Sequence, residues 1–227
     1  MTATAIDKRL NRVLEFYDAP IGKKVIMALT GLIGFGFVLV HMAGNLQIFL
    51  GQEPFDHYAV LLRRTPGLLW AIRLALISAF LLHILAAIQL TALKKNARPV
   101  EYKRRKAIGS TLSSRIMGWS GTVLALFIVY HVLHFTLGTV HPDFHEGRVY
   151  DNVLTAFRSA PISILYVLCM ALLGMHLQHG LWSLFQSLGL DNPRYSEALR
   201  KVALGFAVVV TAGFICVPVA VLTGLVS

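Results

Sequence analysis

Acidic residues are scarce in this chain. Asp and Glu number 11 among 227 residues, against 21 Lys and Arg, and none lies inside a long apolar run. Charged residues make up 14% of the sequence, where a soluble domain carries about a quarter, so a soluble globular fold is excluded. The missing intramembrane acid also removes the carboxylate relay that a proton-coupled transporter needs at bilayer depth. Cysteine is nearly absent as well: Cys169 and Cys216 each sit within an apolar run and read as packing thiols. No C-x-x-C-H occurs, so any haem is held without thioether bonds.

What the chain has instead is hydrophobic length. Hydrophobic residues make up 56% and the mean hydropathy is +0.66. Five apolar runs, at about 25–50, 68–93, 116–140, 162–188 and 202–226, each reach the ~20 residues that carry a helix across roughly 30 Å of hydrocarbon. The expected architecture is an all-α, five-helix membrane bundle forming a single membrane domain over 1–227. The first run is too long for a signal-peptide core and follows a polar stretch, so it reads as a membrane helix.

The net charge of +10 reflects topology rather than nucleic-acid binding. All but five of the Lys and Arg (Arg63, Arg64, Arg73, Arg148 and Arg158) fall in the N-terminal segment, the second-to-third loop and the fourth-to-fifth loop. The positive-inside rule then places the N-terminus in the cytoplasm and the C-terminus outside. Within the N-terminal segment, 1–21, Ile6, Leu10, Val13, Leu14 and Tyr17 have helical spacing with Lys8, Arg9 and Arg12 between them, as in an interfacial helix. The loop from Lys94 to Lys106 is the most basic stretch and suits anionic lipid or a docked partner. In the outer third-to-fourth loop, Val149, Tyr150, Val153, Leu154 and Phe157 predict a second surface helix. No internal repeat is expected.

The chemistry rests on histidine, which is costly at membrane depth and marks a functional site there. His41, His83, His131 and His176 fall one in each of the first four runs. With a rise of roughly 1.5 Å per residue, His41 and His131 both lie about 14 Å from the outer end of their runs. His83 lies about 15 Å from the cytoplasmic end on the same reckoning, and His176 or His179 matches it. Two levels of facing imidazoles predict two stacked bis-histidine b haems. His134 and His179 each follow a candidate ligand by one turn; depth prefers His131 to His134 but does not choose between His176 and His179. The spare histidines are candidates for hydrogen bonds to a haem carboxylate or a quinone. His57, His141 and His145 read as solvated loop residues.

Small residues give porphyrins room between helices. Gly31, Gly34, Gly36 and Gly44 surround His41 in sequence, Gly118 and Gly121 open the third run, and Gly174 and Gly180 flank His176. For the haem carboxylates the candidates are Thr30, Ser114, Arg115 and Trp119 on the cytoplasmic side and Arg73 on the outer side. Asn45, Glu53 and Asp56 lie near the outer level and are candidate quinone contacts.

These residues carry a resemblance. Gly22-Lys23-Lys24, Thr30-Gly31-Leu32, His41-Met42-Ala43-Gly44-Asn45-Leu46, His83, Ser114-Arg115, Tyr130-His131 and above all His176-Leu177-Gln178-His179-Gly180-Leu181-Trp182-Ser183 resemble the five-helix di-haem cytochrome b membrane subunit of succinate dehydrogenases and fumarate reductases. The resemblance implies that His41 and His131 ligate the distal haem iron and His83 and His176 the proximal one. It further implies a flavoprotein subunit with FAD and an iron–sulfur subunit with its clusters as partners on the cytoplasmic face, and a membrane quinone, menaquinone favoured, as substrate. Some fumarate-reducing members carry a glutamate where this chain has Gly174, which leans the expectation towards succinate:quinone oxidoreductase rather than the reverse quinol:fumarate reductase. Anchors of other respiratory complexes place several ligands on one helix and fit less well. A metal or proton transporter would require acidic partners that the runs lack.

Overall fold

In the computed structural model, residues 11–12, 14–97 and 111–227 are described. The described residues include the α-helices α1 (Pro20–Leu46), α2 (Gln52–Arg63), α3 (Pro66–Asn96), α4 (Leu112–Arg115), α5 (Met117–His131), α6 (Val149–Phe157), α7 (Ala160–Ser187) and α8 (Ser196–Leu222). No strand occurs among the described residues. Five helices are long and apolar enough to cross a membrane: α1 with its 3-10 extension, α3, α5 with its terminal turn, α7 and α8. The protein is therefore a multi-pass helical membrane protein, and the Leu and Ile side chains exposed along α3, such as Leu74, Ile77 and Leu81, face lipid rather than water.

Proline opens α1, α3 and α7, where its fixed φ suits the first turn and its missing N–H leaves no bond unmade. Gly51 ends the first span with φ 99° and ψ −179°, a conformation that only glycine adopts without strain. That turn sends the chain directly into α2. Packing pairs α1 with α3 and α7 with α8, while α5 lies against α7 and α1 also touches α7 and α8. Met42, Leu177, Ala207 and Val210 form the core between α1, α7 and α8. A second core, built from Ile48, Phe55, Tyr150, Leu154 and Tyr166, seals the end of the bundle where α1 finishes, under α2 and α6.

Three features differ from the sequence expectation. The third span stops at Thr136 rather than 140, because Val132–Thr136 widens into a π turn that closes with the Leu137 N–H donating to the Val132 carbonyl at 3.0 Å. The fifth span begins at Ser196 rather than 202: Glu197 and Lys201 pair at 2.9 Å, and the Arg200 guanidinium stacks 4.5 Å from the Trp182 ring centre. These contacts let a polar first turn remain helical ahead of the apolar run. The segment holding Glu53, Asp56 and His57 is helix α2, not a solvated loop. Its stripe of Phe55, Tyr58, Ala59 and Leu62 has helical spacing.

The expected outer helix is present as α6, with Tyr150, Val153, Leu154 and Phe157 buried. Of the N-terminal interfacial helix, residues 14–18 are helical; Ile6, Lys8, Arg9, Leu10 and Val13 lie outside the described residues, as do Arg98 and Lys103 to Lys106 of the basic loop. Lys23, 7% exposed, ties that segment to α1 by donating from Nζ to the carbonyls of Tyr17 at 2.9 Å and Asp18 at 2.8 Å. The Tyr17 hydroxyl donates to Gln89 Oε1 on α3 at 3.0 Å.

Candidate functional site

The bundle brings the four intramembrane histidines together in two pairs, and each pair joins two different helices. At one level His41 of α1 and His131 of α5 have ring centres 5.8 Å apart with planes at 79°. At the other, His83 of α3 and His176 of α7 are 6.4 Å apart with planes at 57°. A metal bound by two opposed imidazoles at about 2 Å each would hold their ring centres roughly 6 Å apart. Both separations match that figure. Among the described residues no three His, Cys, Asp or Glu converge on one point, so each level offers two protein ligands. A haem iron, whose porphyrin fills the remaining positions, matches that donor set.

The surroundings of the pairs differ. The Thr30 hydroxyl donates to the Ile26 carbonyl at 2.7 Å and lies 3.0 Å from His83 Nδ1. The Ser120 hydroxyl, 1% exposed, donates to the Met117 carbonyl at 3.1 Å and lies 3.4 Å from His176 Nδ1. At the other level His131 Nδ1 is 3.4 Å from the Tyr166 hydroxyl. The Asn45 amide donates to the carbonyl of His41 at 2.7 Å. Thr30, a candidate contact for a haem carboxylate, thus lies beside an imidazole.

His134 is fully buried, with Nδ1 2.9 Å from the Tyr166 hydroxyl. His179 is half-buried, one turn beyond His176. Arg73 stacks over Trp70 at 5.1 Å, as an arginine does near a helix end. Arg115 is exposed, and Trp119 is 79% exposed. Thr111 caps α4, its hydroxyl oxygen accepting the Ser114 N–H at 3.2 Å, and the Ser114 hydroxyl donates back to the Thr111 carbonyl at 2.9 Å. His141 corrects the expectation of a solvated loop residue: Nε2 donates to the Asn152 carbonyl at 2.9 Å and Nδ1 accepts from the Asp143 N–H at 3.1 Å. His57 is exposed, and His145, also exposed, pairs with Asp143 at 3.1 Å.

Asn45 and His41 border a cavity of about 170 Å³ closed by Gly44, Phe55, Tyr58 and Leu62. A Cβ at Gly44 would come within 2.8 Å of the Tyr58 ring, so glycine is what lets Tyr58 close over α1 there. Asp56 does not line this cavity; its Oδ1 accepts the Tyr150 N–H at 2.9 Å and caps α6 from outside. Glu53 is exposed.

The glycines also divide by what they meet. Gly31 lies against His83 and Gly121 against His176, each with the ring carbon 3.6 Å from where a Cβ would stand. Gly174 is filled by Thr211 and Gly180 by Phe35, while Gly36 and Gly118 have open space. The glycines flanking His176 in sequence therefore serve helix packing, and the glycine beside its ring comes from α5.

A five-span bundle with paired imidazoles at two levels defines a multi-pass helical membrane protein. The succinate dehydrogenase/fumarate reductase transmembrane subunit family matches residues 93–215, over half of the chain, and the protein belongs to that family. No curated protein and no solved structure matched the chain. The matched segment contains His131 and His176 but not His41 or His83, so the fold sets these two histidines of the segment against two outside it.

Proposed function

We propose that the chain is the cytochrome b anchor of a succinate:quinone oxidoreductase, with His41 and His131 holding one b haem and His83 and His176 the other. The observation that carries this reading is the pair of imidazole separations, 5.8 and 6.4 Å, on four helices of a family transmembrane subunit. When bound, the two haems supply one-electron transfer between the inner and outer ends of the bundle. The residues of the chain do the rest. The four imidazoles bind and orient, the apolar core of Met42, Leu177 and Val210 excludes water between the levels, and Asn45 offers an amide donor at the cavity beside His41.

In this reading the N-terminus is cytoplasmic in a bacterial inner membrane, and the His83 level faces an iron–sulfur subunit joined to an FAD flavoprotein. The cavity at Asn45 takes the head of a quinone, menaquinone in preference. Gly174 supports the oxidative direction: a side chain there would collide with the Thr211 hydroxyl, leaving no place for an intramembrane glutamate.

A redox-titrated difference spectrum of the purified complex, with haem quantified per anchor chain, tests the proposal. Two b haems with separate midpoint potentials are expected, and absence of haem would overturn it.

A further inference from the structure

Two segments far apart in sequence build the same device. Thr30-Gly31 precedes His41 by the spacing hydroxyl–Gly–x9–His, and Ser120-Gly121 precedes His131 by the identical spacing. Eleven residues are close to three helical turns, about 16 Å, so hydroxyl and histidine share one face of their helix. On α1 and on α5 alike, one end of that face carries a histidine of the first pair. The other end meets a histidine of the second pair, held on the following membrane helix: His83 of α3 for Thr30 and His176 of α7 for Ser120. This internal repeat was not expected from the sequence, because it joins two-residue units with no similarity in the residues between them.

The chemistry at both ends is alike. Each hydroxyl spends its proton on a carbonyl of its own helix, Thr30 on Ile26 and Ser120 on Met117. Its oxygen is then an acceptor and favours the proton of the neighbouring imidazole on Nδ1. Nε2 is left with a free lone pair, the form a metal requires. The following glycine sets the ring's place: a methyl there would already touch the ring carbon at 3.6 Å in both units, so a larger side chain would displace the imidazole. The His41 level lacks this arrangement. Among the described residues His41 has the Asn45 amide alone within 3.5 Å of its ring nitrogens, and His131 shares the Tyr166 hydroxyl with His134.

Resting on the haem reading above, we propose that Thr30-Gly31 and Ser120-Gly121 are matched positioning units that orient His83 and His176 and lower the potential of the haem those two hold. Donation from Nδ1 makes an imidazole a stronger electron donor, which favours the oxidised iron. The repeat therefore makes the two levels electronically unequal.

The test is a spectroscopic redox titration of the assembled complex carrying Thr30→Val, Ser120→Ala, or the conservative Thr30→Ser and Ser120→Thr, with His83→Ala identifying the haem concerned. Thr30→Val and Ser120→Ala are each expected to raise the midpoint potential of that haem and leave the other unmoved, while the conservative variants retain the wild-type value. Loss of that haem in Thr30→Val with retention in Thr30→Ser also supports the assignment. Unchanged potentials, a shift confined to the other haem, or an equal shift in the conservative variants would overturn it while leaving the two-haem reading intact. A wild-type complex without haem would overturn both.

Discussion

The Tyr166 hydroxyl lies 2.9 Å from Nδ1 of His134, a histidine with no solvent exposure whose Nε2 has no hydrogen-bond partner among the described residues. His131, one turn earlier, reaches the same hydroxyl at 3.4 Å. One phenol thus joins a paired histidine to a purely buried one, and His134 meets Tyr166 instead of a partner imidazole from another helix.

Tyr166→Phe is expected to destabilise the fold by about 1–3 kcal/mol, because it strands a buried polar group without a partner. Replacing both groups, in Tyr166→Phe with His134→Leu, is expected to recover part of that loss. Thermal unfolding in detergent, with haem content followed in parallel, checks both. Equal stability of the single and double variants would show that the bond contributes nothing.

His83→Ala and His176→Ala are each expected to remove the same haem signal, and His41→Ala and His131→Ala the other. His134→Leu and His179→Ala are expected to retain both. Difference spectra of the purified variants decide the pairing; loss of different haems in His83→Ala and His176→Ala would overturn it.

Asn45 and Asp56 are expected to separate cleanly. Asn45→Leu should raise the KM for quinone several-fold with haem content unchanged, since the amide borders the cavity beside His41. Asp56→Ala should cost about 1 kcal/mol of stability through loss of an α6 cap and leave the quinone KM close to wild type. Steady-state kinetics with a water-soluble quinone analogue, alongside thermal unfolding, distinguish the two effects.

Lys23→Met is expected to lower stability by about 2 kcal/mol or more, because charge-assisted bonds to two carbonyls are lost where Tyr17 and Asp18 fold back on α1. Proteolysis of the N-terminal segment in membranes should accelerate in the variant. An unchanged cleavage rate would show that Lys23 does not hold the segment.

Much of this was legible in residue order alone. Five apolar runs specify five spanning helices because hydrocarbon thickness converts directly into helix length. Depth along each run sorts His41 with His131 and His83 with the histidines of the fourth run, because helical rise is constant. What depth leaves open is rotation about the helix axis. His176 and His179 differ little in height, and packing alone sets His176 beside His83 and Gly121. The same limit applies to Thr30 and Asp56, whose hydrogen-bond partners lie 53 and 94 residues away.

Hydrophobicity and spacing act locally, so the sequence by itself determined how many helices cross the membrane and how deep each histidine lies. Only the tertiary structure decided which hydroxyl meets which imidazole, which acid caps a helix, and which glycine makes room for a ring. Those contacts depend on the relative rotation of helices distant in the chain, and that rotation is set by the whole bundle's packing rather than by any one segment.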